Sequence, residues 1–286
     1  MDTAKRFEGY RYRRTVDIIV RWLCVFATLL AVIPLVTILG YIVFKGSSAL
    51  NWAFFTELPK PPGERGGMAN AIVGTLTLVG LACAFGVPLG VLAGVYLAEF
   101  GKSTFGKIVR FSADVMSGTP SIIAGLFVYA LVVVPMKRFS AIAGGLALAM
   151  LMLPTVTRTT EELLKLVPDA LREAALALGV PKWRAILRVV LRTAAPGIAT
   201  GVVLAVARVT GETAPLLFTA LNNNGWSEGI DQPTASLTVQ IFQYAGSPYE
   251  DQQAQAWAAA LVLVVVVLVL NVSARVLVRN RLGAGR

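Results

Sequence analysis

Six apolar runs, each close to the roughly 20 residues a helix needs to cross a bilayer, divide this 286-residue chain. They lie near 20–44, 71–98, 116–136, 141–157, 196–221 and 256–278. In hydrocarbon every backbone N–H and C=O must be satisfied within the segment, so such runs cross as helices. With 56% apolar residues and charge gathered between the runs, the expected fold is an all-α membrane protein of six transmembrane helices. The first run follows about twenty polar residues and is longer than a signal-peptide core, so it reads as a retained anchor.

The net charge of +10 follows sidedness rather than a nucleic-acid surface. Of the 26 Lys and Arg, twenty fall in the segment up to Arg21, the 99–112 and 158–195 loops, and the end of the chain from Arg275 onward. Lys45, Lys60, Arg65, Lys137 and Arg138 lie on the other side, and none occurs between residues 222 and 255. The positive-inside rule then makes both termini cytoplasmic. This divides the chain into an N-terminal tail 1–21, a first helix and outward loop 22–69, a transmembrane domain 70–275 containing a cytoplasmic loop 158–195, and a C-terminal tail 276–286. No nucleic-acid role is expected, since the basic stretch 173–190 is tethered to membrane spans on both sides.

One basic residue breaks the pattern. Arg208 lies twelve residues past Pro196 inside the fifth run, about 18 Å deep in a core of about 30 Å, and Glu212 follows four residues later. A central Arg costs about 2.5–3.5 kcal/mol on translocon scales, so such groups face a bundle interior or a wet pathway. A guanidinium keeps its charge and offers a planar fork of donors to oxyanions. If the fifth run is one helix, Glu212 sits a turn from Arg208 on the same face and holds it when no anion is present. A structural ion pair is the alternative. Arg158, near the end of the fourth run, is a candidate exit residue or a membrane anchor.

Ala82, Gly86, Gly90, Gly94 and Ala98 recur every four residues in the second run and mark a close-packing helix face. Gly197, Gly201 and Ala205 open the fifth run in the same way. Pro34, Pro88, Pro154 and Pro215 interrupt runs one, two, four and five, each freeing a carbonyl. Cys24 and Cys83 fall inside runs and read as small packing residues. The chain contains no histidine, which removes imidazole bases and most transition-metal sites; no metal site and no catalytic residue is expected. Gly101-Lys102-Ser103-Thr104 imitates the end of a phosphate-binding P-loop, but Tyr96 stands where that motif requires glycine, and a membrane run precedes it instead of a strand.

The 158–195 loop has helical periodicity. Pro168 and Gly179 bracket a short helix of about three turns. Pro181 begins a second one, with Trp183, Ile186, Leu187, Val190 and Leu191 on one face and Arg184, Arg188 and Arg192 on another, suited to the membrane surface. Glu173-Ala174-Ala175, three residues, then Gly179 resembles the start of the EAA loop of ABC importer permeases, although Arg192 stands where that motif usually ends in Pro. Arg158-Thr-Thr-Glu-Glu-Leu, Leu171-Arg-Glu-Ala-Ala-Leu-Ala-Leu-Gly and Ala207-Arg-Val-Thr-Gly-Glu-Thr-Ala-Pro-Leu-Leu-Phe-Thr-Ala are similar to the phosphate-importer branch of that family, over roughly 70–275.

The resemblance implies a type I ABC importer permease fold, with Glu173, Ala174, Ala175 and Gly179 docking on an ATPase. It implies a second related permease, two ATPase copies that bind ATP and Mg, an extracytoplasmic phosphate-binding protein, membrane lipid and phosphate as cargo; this chain itself binds no cofactor. Sulfate or molybdate is the alternative cargo. A membrane-embedded enzyme is the rival class, but the buried charged residues offer one Arg and one Glu where a nucleophile and base or a carboxylate cluster would be needed.

Overall fold

The computed structural model describes the backbone of residues 3–64 and 66–283, and side chains at 13–64, 66–273 and 276. Arg65 and the charges expected at Lys5, Arg6, Arg11 and in most of the 276–286 tail lie outside those described side chains. Every regular element described is helical. The elements are α1 Thr3–Ala49, α2 Trp52–Thr56, α3 Ala69–Phe100, α4 Thr104–Gly118, α5 Ser121–Met136 and α6 Ala141–Lys165. They continue with α7 Asp169–Ala177, α8 Lys182–Thr210, α9 Ala214–Thr219, α10 Leu237–Ala245 and α11 Glu250–Gly283. Among the described residues five helices are long and apolar enough to cross a membrane, and the bent pair α4 and α5 brings the number to six if it is counted as one broken span.

The centre of the molecule is the parallel packing of α3 on α6. Gly86, Gly90 and Gly94 are buried on it. A Cβ on Gly90 would come within 2.8 Å of Val156 Cβ, and one on Gly94 within 2.5 Å of Thr160 Cβ. The every-fourth-residue spacing thus lets two backbones approach where any side chain would force them apart. Leu78, Leu148, Met152 and Val156 fill the gaps between the small residues, each at most 1% exposed. α8 packs on the neighbouring face of α6, with Gly197 against Leu163 and Gly201 against Thr159.

Three sequence expectations change. The third span is not one helix over 116–136: α4 and α5 meet at Thr119-Pro120 with a 112° bend, and most of the expected 99–112 loop is the start of α4. Pro120 removes an N–H and pushes Thr119 to extended backbone, which ends α4 there; Thr119 has ψ 130°. The fourth span runs past 157 to Lys165. The amphipathic helix expected from Pro181 is not separate, because the chain continues unbroken through Pro196 to Thr210. A π-type turn at Ile186–Val190 lies within this continuous helix.

The 222–255 segment, expected as an outward surface, is a folded strap sealing the end of the bundle where α3 and α6 begin. Ala141 N donates to Gln232 O at 3.1 Å and Ile142 N to Ile230 O at 3.0 Å, satisfying the free N–H groups at the start of α6. Thr75 Oγ1 accepts from Leu237 N at 2.9 Å, and Asn70 Nδ2 donates to Asn223 O at 2.6 Å. Residues Leu237, Val239 and Gln240 are fully buried.

Candidate functional site

α8 ends at Thr210, with Gly211 as its cap. The expectation that Glu212 lies on the same helix face as Arg208 is therefore corrected. Glu212 belongs to a three-residue break, Gly211–Thr213, before α9 begins with Pro215 in its first turn. The break is tied down at its backbone: Glu212 N donates to Val209 O at 3.2 Å, and Thr238 Oγ1 from the strap donates to Glu212 O at 3.0 Å.

Arg208 and Glu212 nevertheless share a site. Both line a cavity of about 180 Å³ with Met116, Ser117, Thr119, Pro120, Ser121, Leu151, Pro154 and Thr155. That space is many times the roughly 10–15 Å³ one water needs. Its walls are the α4–α5 elbow, the middle of α6 and the broken end of α8. Thr155 lies about 20 Å along α6 from Ala141 and about 15 Å from Lys165, at 1.5 Å per residue, so the cavity sits mid-span. Among the described residues neither Arg208 nor Glu212 has an ion-pair partner. Arg208 is exposed in the single chain and Glu212 half-buried. The sequence offered no hint of the elbow's hydroxyls.

A second charged region lies two turns further along α6. Glu161, 2% exposed, accepts from Arg110 Nη2 and Lys165 Nζ, each at 2.6 Å. Arg158 pairs with Asp114 of α4, so the candidate exit residue is held by a carboxylate that the sequence reading did not connect to it. Further on, Arg172 bonds Leu164 O at 2.8 Å and pairs with Glu99 at 3.2 Å. The expectation of a single membrane carboxylate is thus corrected: Glu161 is also buried and the Glu99 side chain is only 7% exposed, both near helix ends. Lys165 is a local i,i+4 partner of Glu161, but Arg110 lies 51 positions from Glu161 and Arg172 lies 73 from Glu99, beyond the reach of any local pattern.

At the same end, α7 projects from the bundle. Glu173 and Ala174 are exposed, while Ala175 is buried. Gly179 has φ +76°; its N–H donates to Leu176 O at 2.9 Å and Val180 N to Ala175 O at 3.2 Å. These two bonds form a Schellman cap, for which glycine is suited because a Cβ would be strained there. Leu166, Leu171, Leu176, Leu178 and Trp183 are all exposed around it, an apolar patch of the sort that marks a protein contact.

The chain matches the family described as "Binding-protein-dependent transport system inner membrane component" over residues 86–282. It is 48% identical over 245 residues to the phosphate transport system permease protein PstA of Yersinia pestis, covering 85% of this chain and 83% of that protein. The Haemophilus influenzae protein of the same name is 46% identical over 252 residues, covering 88% and 89%. That of Xylella fastidiosa strain Temecula1 is 45% identical over 285 residues, covering 99% of each. Among solved structures, a bacterial ABC transporter involved in import of the acidic polysaccharide alginate superposes with TM-score 0.64 at 19% identity, covering 94% of this chain and 99% of that one. The MetNI methionine ABC transporter in an inward-facing form gives 0.60 at 19%, covering 74% and 96%. At such identity these two likenesses concern the fold alone.

Proposed function

The chain belongs to the binding-protein-dependent transport inner membrane components, and from that premise we propose how it moves its cargo. It is a multi-pass inner-membrane permease subunit of an ATP-driven phosphate transporter, as its relatives' extent and identity support, and ATP hydrolysis belongs to a separate subunit. The orientation that suits the charge distribution puts α7 and both termini in the cytoplasm and the 222–255 strap outside.

The observation that carries the transport reading is the cavity at the break in α8. An arginine and a carboxylate without ion-pair partners among the described residues line it, where an unused charge has a cost unless something polar visits. Arg208 takes the oxyanion with its guanidinium fork. Glu212 lines the same cavity as Arg208 and gives it a carboxylate as well as a cation. Arg158, held by Asp114, receives the anion on its way out.

The proposed cycle is alternating access. An extracytoplasmic binding protein delivers phosphate at the strap end. Two ATPase copies, holding ATP and Mg, close on each other and push α7 through Glu173, Ala174, Ala175 and the apolar patch. Gly179 fixes the exit of α7, so the push reaches α8 without the loop absorbing it. A second related permease supplies the facing half of the path, against which the open side of the Arg208 cavity would lie.

Radiolabelled phosphate uptake tests this, in cells lacking their own high-affinity system and supplied with the full complex carrying wild-type chain or Arg208→Gln at matched membrane levels. Uptake is expected to fall at least about tenfold with assembly retained, since a charged hydrogen bond contributes about 1.5–3 kcal/mol. Full uptake in the variant would leave Arg208 without a role in the path.

A further inference from the structure

An anion path lined by a carboxylate calls for a reason, and the donor and acceptor inventory of the cavity supplies one. Arg208 offers N–H donors and nothing else. The hydroxyls of Ser117, Ser121 and Thr155 serve either way, and they discriminate weakly because they rotate to suit. Thr119 Oγ1 already donates to Val115 O at 2.8 Å, so it turns lone pairs toward a visitor. Glu212, as a carboxylate, is acceptor-only. Its backbone is pinned on both sides of the break, by Val209 O and by Thr238 Oγ1 at 3.0 Å, so the acceptor does not simply swing away with a helix end.

We infer that Glu212 is a specificity-determining residue: its carboxylate accepts the hydrogen of a protonated tetrahedral oxyanion whose other oxygens take N–H groups from Arg208. The inference rests on the anion-path reading above. Phosphate at neutral pH always carries at least one hydroxyl, as does arsenate. Sulfate carries none, so its oxygens would meet Glu212 and Thr119 lone pair to lone pair. A site that hydrogen-bonds a ligand O–H rejects analogues lacking it far more strongly than a shape filter does, because its own acceptor is left facing an unfavourable partner. The permease would then screen its cargo a second time, independently of whatever delivers it.

The test is scintillation-proximity binding of radiolabelled phosphate to the purified complete complex in nanodiscs, with no soluble binding protein added, competed by unlabelled arsenate or sulfate. Wild type is expected to prefer arsenate over sulfate by at least about tenfold. In Glu212→Gln the amide presents either an acceptor or a donor, so phosphate still binds but the preference falls to within about twofold. Glu212→Asp keeps an acceptor-only group and retains much of the preference. Wild type displaced equally by both competitors, or Glu212→Gln with its preference intact, would overturn the inference. An Arg208→Gln arm separates the two levels. If that variant loses binding while Glu212→Gln keeps its preference, the path reading stands and the selectivity role falls. If Arg208→Gln binds like wild type, or wild type shows no displaceable phosphate, the cavity is not the anion site and both fall.

Discussion

α6 carries two charged regions about 9 Å apart along its axis, and they are built in opposite ways. At Thr155 it lines a cavity whose Arg208 and Glu212 have no ion-pair partners among the described residues. At Glu161 it buries a carboxylate to 2% exposure between two cations. Breaking a buried pair leaves a stranded charge and costs about 3–5 kcal/mol, which suits a fastening between α4 and α6. Groups with no partner cost little to remove and are available to a visitor. The same residue types thus read as structure in one place and as chemistry in the other, and the difference lies in their partners.

The largest predicted effect attacks the frame that both regions share. Gly94→Leu would drive a side chain into Thr160 and the α6 backbone at Thr157. Overpacking of this kind costs about 1–3 kcal/mol or more, and here nothing flexible gives way, so the complex should be lost from membranes on quantitative blotting. Glu161→Ala comes next. Arg110 and Lys165 keep side-chain exposures of 30% and 53%, so the loss should fall below the fully buried range, at about 2–3 kcal/mol. A lowered melting midpoint of the purified complex reports it, and Arg208→Ala should change stability by less than about 0.5 kcal/mol and move the midpoint correspondingly less. Equal shifts in the two variants would erase the contrast.

Glu173→Lys should leave the permease inserted and stable but uncouple it from its ATPase, seen as loss of co-purifying ATPase subunit; normal assembly and transport would count against docking at α7. Gly179→Ala should be the mildest. Strain at a positive φ costs about 1 kcal/mol, and the expected outcome is reduced transport per ATP hydrolysed with assembly unchanged.

What the sequence disclosed followed the range of its signals. Apolar length located the spans, the four-residue ladder at Gly86, Gly90 and Gly94 carried the tightest helix contact, and Pro168 with Gly179 framed α7 to within a residue. These are local patterns with a direct physical reading. The break at Gly211 was hidden because the apolar run continues across it to Leu221, and hydropathy does not register a lost hydrogen bond. The elbow at Thr119-Pro120 was legible in principle, since Pro120 disfavours helix at Thr119, but apolar length outvoted it. The Glu161 fastening joins a local i,i+4 partner, Lys165, to Arg110 from a different helix, and only the Arg110 contact had no signature along the chain. Arg208 and Glu212 were found because charge inside an apolar run is conspicuous; their shared cavity required the fold.

The contrast itself is open to a direct measurement. Cys24 and Cys83, the chain's two cysteines, are replaced by serine, and single cysteines are placed at Thr155, in the cavity, and at Thr160, which is fully buried beside Gly94. The assembled complex is then treated with a small charged methanethiosulfonate reagent, with and without phosphate. Cysteine at 155 is predicted to react and to be slowed by phosphate, while cysteine at 160 stays unreacted in both conditions. A silent position 155, or one that reacts at the same rate with phosphate present, would contradict the assignment of this cavity to the anion's path.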